Sequence, residues 1–581
     1  MVPLVGRGRG IRGLVTASAV TLAVLAASAP AAIAAQEVRE LEFTASDGVS
    51  LFATVSGKAP LEPRPLVVEY SPYGQGPGGP PVGARFNYVQ VHARGTGRSG
   101  GAWNIMGARE QRDIAESLRW FCDQPWSSGR VGLYGFSASA IAAYHAMRRP
   151  RLPCVKAAAL LAGTSSIYRD LIFIGGMPNL VPATVVVTAI GSAFLANLPG
   201  RFGTHPQSVL EATGGVTEAL SAFVAHPTED AFWRERTFPG PKGPPKVPIL
   251  AATGFYDVES RGPFETFQAA RKSGSHLLVI GAHDGAAGGS GGAFPRFRRW
   301  FEHYLLGIDN GVEEERPVKL YVGRGSHEAL VGDGWTKVKA KDWPVPGTAW
   351  KSLHLDPRRS DTAVSINDGT LALERPSAAA TQSAFALPSN AFATDPYTTS
   401  TVTSTQSTNL TEATSLTYTT PELSAPVMSV GPASLKVKLR STAPETDIVA
   451  VLSDVAPDGQ SHPVAAGRLR STFTGIDRSR SRVDPSTGEI VQPYNDLSAK
   501  VTVPPGEPHT YHVEFWPIGN RFERGHRIRL TLAGTPFTFA PTVPALNSIV
   551  VGGPDGAQLQ FPVLPGSDLC KALAAAPCPT R

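Results

Sequence analysis

Three observations predict an α/β fold followed by an all-β domain. Strands and helices alternate from Val38 to about Ala162. The alternation resumes at VPILAATGFYD (247–257) after an apolar, helical interruption, and helices vanish after about Val345. Such alternation implies a mainly parallel sheet flanked by helices. In order, LFATVSG, LVVEYSPYG and NYVQVHA read as strands, Arg109 to Phe121 as a helix, and VGLYG (131–135) as a buried strand. Residues from about Ser165 to Phe238 read as a helical cap. Beyond it come the strand VPILAAT, a helix around Phe264–Arg271, the strand HLLVI and the amphipathic helix FPRFRRWFEHYLL. The expected divisions are a core in two parts, 36–164 and 243–345, a cap at 165–242, and a β domain at 346–581.

Residues 1–35 read as a signal peptide. Arg7, Arg9 and Arg12 precede an uncharged run from Leu14 to Ala29, closed by small residues. Without an Arg-Arg pair the general secretory route is expected, and with it a secreted protein. Removing the leader lowers the formal net charge from +6 to +3. No basic stripe remains, which argues against a nucleic-acid partner. In an oxidising compartment the four cysteines read as disulfides. The pairs Cys122–Cys154 and Cys570–Cys578 would each close a local loop. No CxxC or His/Cys cluster points to a metal, and no cofactor is expected.

Two motifs compete for other readings. Gly95 to Gly100 spells GxGxxG, but Gly101-Ala102-Trp103-Asn104 follows where a dinucleotide site needs a helix, so a structural turn is expected. Leu171 to Leu198 carries no charge, as a membrane span would. Pro178, Pro182 and several glycines interrupt it, however, and a span would separate Ser137 from everything after residue 200. A buried or substrate-facing cap without stable membrane insertion is the reading adopted.

The chemistry centres on VGLYGFSASAIAAYHA (131–146), where a strand period gives way to a helix period around Ser137. Small residues stand two before and two after it, Gly135 and Ser139. The pentapeptide fits either a nucleophile elbow or an ordinary small-residue turn. Context decides between them, because an α/β hydrolase places its acid and then its histidine after later strands. Asp257 follows the strand VPILAAT, and His283 follows HLLVI. His276 leads into a strand and His303 lies within a helix, so both fit less well. The expected roles are Ser137 as nucleophile, His283 as general base and acid, and Asp257 as the group that orients the imidazole. The backbone N–H of Ala138 would donate to an oxyanion.

The chain resembles the X-prolyl dipeptidyl peptidase and cocaine esterase group of serine hydrolases, which also holds glutaryl acylases and α-amino-acid ester hydrolases. The resemblance lies in SPYG (71–74), ARGTGRSGG (93–101), QPWSSGRVGLYGFS (124–137), HPTEDAFWRER (226–236), GFYD (254–257) and WFEHYLLGIDNG (300–311). Further matches are LTYTTPEL, TDIVAVLSDVAPDG and GHRIRLTLAG in the C-terminal part. It implies a jelly roll for that part, the triad Ser137, Asp257 and His283, and an oxyanion-donating hydroxyl on Tyr73. The sequence departs from the group at Ala138 and Ala140, where an aromatic and a glycine are usual, at the short GAHDG loop, and at His92 in place of an aspartate. A reshaped acyl pocket is therefore expected. The functional expectation is an acyl-enzyme hydrolase acting on a small-molecule ester, an amide or an Xaa-Pro dipeptidyl substrate. The competing expectation is a non-catalytic protein that binds surface glycan through the β domain.

Overall fold

The computed structural model describes residues 36–581 apart from residues 75–81, 149–151, 197–207, 240–242, 244–245, 284–291, 325–334, 389–395, 398–407 and 575–581. The leader read from residues 1–35 lies outside the described residues. The first sheet comprises β1 (Gln36–Thr44), β2 (Ser50–Lys58), β3 (Arg64–Ser71), β4 (Asn87–His92), β5 (Ser127–Phe136), β6 (Val155–Leu161), and then β9 (Ile249–Thr253), β10 (His276–Val279), β11 (Val318–Val322) and β12 (Thr336–Ala340). The short pair β7 (Phe173–Ile174) and β8 (Met177–Pro178) belongs to the cap. Strand order is β1-β2-β4-β3-β5-β6-β9-β10-β11-β12. The strands from β4 to β11 in that order run parallel, and β1, β2 and β12 add antiparallel edges. The central strands are nearly continuous Val, Leu and Ala because helices cover both faces. The order reverses between β3 and β5, and there the carboxyl ends of the strands leave a crevice for a ligand.

The helix α1 (Ala108–Cys122) buries Ile114, Leu118 and Phe121, and α2 (Ala138–Arg148) packs an alanine-rich face on β5. The cap consists of short helical turns over Val181–Ala196, the longer helix Ser208–Ala225, and a single turn Ala231–Arg234 capped by the Asp230 carboxylate. Among the described residues no helix is long and apolar enough to cross a membrane. The glycine-rich segment after β4 is a tight turn in which the Gly95 N–H donates to the Gly100 carbonyl at 2.9 Å. No helix begins until Ala108, as the structural reading of that motif requires.

From Ala349 onward the described residues are almost wholly β, and among them are two single helical turns at Asn409–Glu412 and Leu569–Ala572. Its large sheet closes on itself, because Gln558–Val563 pairs with both Ala349–Arg359 and Val427–Ser441. The result is a β-barrel, an all-β domain of the kind expected in place of helices. Buried ion pairs fasten the barrel to the core and cap. Arg261 donates to Asp170 of the cap at 2.7 Å and to Glu514 of the barrel at 3.0 Å. Arg169 pairs with Glu229 and donates to the Asn495 carbonyl at 2.9 Å. Gly519 of the barrel receives the Phe255 ring so closely that a Cβ there would lie 2.2 Å from it.

Cys122, at the end of α1, is bonded to Cys154, just before β6, across 32 residues. Cys570 is also disulfide-bonded and is buried, and Cys578 lies outside the described residues. A loop of that length closed in the unfolded chain corresponds to roughly 3–4 kcal/mol of stabilisation. Replacing Cys122 and Cys154 together by serine should therefore lower the unfolding free energy extrapolated from urea titration by about that much, with a lower midpoint and a steeper slope as the unfolded chain expands. An unchanged midpoint would show that the bond constrains nothing.

Candidate active site

Ser137 is the single residue between β5 and α2, and its φ of 53° lies in the left-handed region. A non-glycine side chain adopts that conformation only where surrounding bonds hold it there. The Ser137 N–H donates to the Leu161 carbonyl at 2.9 Å, and its own carbonyl accepts from Ala140 at 2.8 Å and Ile141 at 3.1 Å. Gly135 makes the turn possible. A Cβ on it would stand 2.4 Å from the Ala140 nitrogen and the Ser139 carbonyl.

Tyr73 follows β3 on the neighbouring strand end. Its hydroxyl lies 3.4 Å from Ser137 Oγ and accepts from the Ala138 N–H at 3.3 Å. Burial raises the phenol above its ordinary value, which keeps it protonated and able to donate. The Ala138 amide is also at the first turn of α2, where the helix dipole favours negative charge.

Asp257 and His283 come from loops after β9 and β10. The two loops touch through a bridge between Tyr256 and Ala282, and a Cβ on Gly254 would fall 1.9 Å from the Gly281 carbonyl. His283 Nδ1 stands 2.8 Å from Asp257 Oδ1. The buried Asp257 carboxylate also accepts from Thr253 Oγ1 at 2.8 Å and the Glu259 N–H at 2.8 Å. The His283 ring packs at 4.9 Å from the ring of Phe136, the residue before Ser137. His276 lies against Trp300, and His303 bonds the Ile308 carbonyl; neither lines the cavity at Ser137.

That cavity holds about 300 Å³ and has Tyr73, Ser137, Ala138 and His283 in its wall. The rest is chiefly apolar, drawn from the cap (Leu171, Val186, Ile190, Phe223) and from the loop before α1 (Trp103, Ile105, Met106). Such a chamber, apolar with a few convergent polar groups, is the ordinary form of a small-molecule site.

Both domains match known families by sequence. Residues 47–284 match the X-Pro dipeptidyl-peptidase (S15 family) model, and residues 310–548 match the X-Pro dipeptidyl-peptidase C-terminal non-catalytic domain. The chain belongs to this X-Pro dipeptidyl-peptidase and cocaine esterase family. It is accordingly a serine hydrolase. It is similar to cocaine esterase of Rhodococcus sp. (strain MB1 Bresler), 23% identical over 481 residues, 74% of this chain and 77% of that one. Among solved structures it is similar to a CocE/NonD family hydrolase from Staphylococcus aureus, with TM-score 0.73 and 18% identity over 91% of this chain and 94% of that one. An α-amino acid ester hydrolase gives TM-score 0.69 and 17% identity over 95% of this chain and 100% of that one. At these identities the two structures show a shared fold.

One wall residue was missed by the sequence reading. Glu259, two residues after Asp257, is 3% exposed, and its Oε2 has no hydrogen-bond partner among the described residues. It is the sole carboxyl among the described wall residues. The only hint in GFYDVES was a second acid in the loop that carries Asp257. Burial raises Glu259 to about 8; the Asp257 and Asp170 charges add to this and His283 opposes it. Between the ordinary glutamate value of 4.5 and about 8 the folded protein holds a proton here that the unfolded chain has lost. The stability this residue contributes is therefore complete below 4.5 and lost as pH rises through 8. Unfolding free energies of wild type and Glu259→Gln should diverge between pH 5 and pH 9, with the wild type losing more. A pH-independent gap would mean that the carboxyl is ionised throughout.

Proposed function

We propose that this protein is a secreted carboxylesterase that cleaves esters of apolar acyl groups through an acyl-enzyme on Ser137. The observation that carries the reading is the apolar chamber of about 300 Å³ opening onto Ser137, Tyr73 and His283. Secretion is proposed from the leader pattern of Arg7, Arg9 and Arg12 ahead of Leu14–Ala29.

In this reading Asp257 holds His283 through Nδ1, so Nε2 takes the Ser137 proton as Oγ attacks the ester carbonyl. The carbonyl oxygen becomes an oxyanion and accepts from the Ala138 N–H and the Tyr73 O–H. At rest these two donors bond each other at a long 3.3 Å, and the oxyanion replaces that weak contact with two stronger ones. The imidazolium returns its proton to the departing alkoxide. Water then attacks the acyl-enzyme by the same route in reverse, and Ser137 is regenerated.

A second reading, an Xaa-Pro dipeptidyl peptidase, is favoured by Glu259, a carboxyl in the chamber able to ionise and pair with a substrate α-amine. Comparing a 4-nitrophenyl ester series with Ala-Pro-4-nitroanilide separates the two. Turnover of the esters alone supports the first, and preferential turnover of the anilide supports the second.

A fluorophosphonate probe should label Ser137, and Ser137→Ala should lose both label and turnover by several decades while remaining folded. Label on any other residue would move the nucleophile. Tyr73→Phe should lower kcat by about 10²–10³ with little change in KM, the signature of a donor used mainly in the transition state. An unchanged kcat would assign the oxyanion to backbone donors alone.

A further inference from the structure

The wall of the chamber contains a backbone feature that the triad chemistry does not use. Ile105 and Met106 follow one another with φ of 45° and 60°, both in the left-handed region. For a β-branched residue that conformation is an outlier, and consecutive ones persist only when the surroundings dictate them. Here they are dictated by three buried side chains. Glu110 Oε2 accepts from the Met106 N–H at 2.7 Å, and Gln111 Nε2 donates to the Met106 carbonyl at 2.8 Å. Arg236 Nε donates to the Ile105 carbonyl at 3.0 Å and Nη2 to the Asn104 carbonyl at 3.1 Å. Glu110, Gln111 and Arg236 are each at most 3% exposed.

Arg236 is the last residue of HPTEDAFWRER, a stretch that the triad leaves without a role. The guanidinium is itself held, bonded to the Phe232 carbonyl at 2.8 Å and stacked 3.6 Å above the Phe232 ring. Three residues earlier, Trp233 enters the chamber wall. The strained turn in turn faces the cap. Ile105 packs with Tyr73 against the cluster of Trp103, Val186, Ile190 and Ala219. On the cap side Gly215 lies so near Trp103 that a Cβ would meet its nitrogen at 2.5 Å. The turn therefore fixes how far the wall beside Tyr73 projects toward the cap.

We propose that the clamped Ile105–Met106 turn is the specificity-determining element that gauges acyl-chain length, with Glu110, Gln111 and Arg236 as its positioning residues. The proposal rests on the esterase reading above. It assigns the side chains of Ile105 and Met106 to contact with the acyl chain, and it gives the 226–236 stretch the task of delivering Arg236 to two carbonyls of the turn. A guanidinium fork does this where an ammonium, a point charge, does not.

The test measures kcat and KM on 4-nitrophenyl acetate, butyrate and octanoate, with active sites counted by fluorophosphonate titration so that misfolded protein does not enter. In Arg236→Lys and Glu110→Ala the octanoate-to-acetate ratio of kcat/KM should fall about tenfold, mainly through KM for octanoate. The double variant should lose little more than either alone, because both residues grip one turn. Glu110→Gln, whose amide oxygen can still accept from Met106, should recover most of the ratio. Met106→Gly keeps the backbone comfortable and removes the side chain, so it should move the preferred chain length upward. Titratable variants with an unaltered ratio, or an unaltered profile in Met106→Gly, would overturn the gauge while leaving the esterase intact. A wild type that neither labels nor turns over esters would remove the esterase reading and this one with it.

Discussion

Everything at the carboxyl end of the sheet depends on Ser137 occupying a left-handed conformation between a strand and a helix. Such strain costs on the order of 1–3 kcal/mol and has to be outweighed by neighbouring bonds. Gly135 provides the space, and the amide and carbonyl of Ser137 are both engaged, so the hydroxyl is held out over the sheet at the point where strand order reverses. The consequences spread from there. The first amide of α2 comes beside the hydroxyl, Tyr73 reaches it from the adjoining strand, and Phe136 offers its ring to His283. A serine one residue earlier or later would face the sheet or the helix interior, and none of these neighbours would meet it.

The surroundings then set the electrostatics. Within an apolar chamber, hydrogen bonds and charges act more strongly than in water, and uncompensated charge is costly. Asp257 is tolerated because it accepts from three donors, counting the histidine. Glu259, two residues on, has no such company and keeps its proton at neutral pH. The same loop thus carries two buried carboxyls in different surroundings, one held by three donors and one whose Oε2 meets none among the described residues.

Much of this was legible in the sequence because the relevant signals are local. Each of Ser137, Asp257 and His283 ends a strand whose apolar run can be read directly, and their chain order follows from the topology. Tyr73 was visible only through resemblance, since a tyrosine after Pro72 is an ordinary turn residue. Glu259 was not legible: an acid near a helix start usually faces water, and its burial in the chamber wall is a product of tertiary packing that no local pattern records. The left-handed pair at Ile105–Met106 gave no signal, because neither residue favours that conformation and one of the groups enforcing it, Arg236, lies 131 residues away. Closure of the barrel was equally hidden. It depends on Gln558–Val563 finding Val427–Ser441, a pairing across more than a hundred residues that no local pattern records.

The ion pairs around Arg261 bear on how the chain comes to be made. Arg261 is buried, and its partners stand at Asp170 and Glu514, on either side of it along the chain. A ribosome that has released only the α/β part has produced an arginine whose second carboxylate, some 250 residues away, does not yet exist. A buried guanidinium cannot shed its charge to compensate, so the core cannot reach its final packing before the barrel strand carrying Glu514 arrives. The segments divide neatly on paper, yet the surroundings of Arg261 are complete only when both parts of the chain are present. A chain cut short before the barrel would lack the group that seals its own interior.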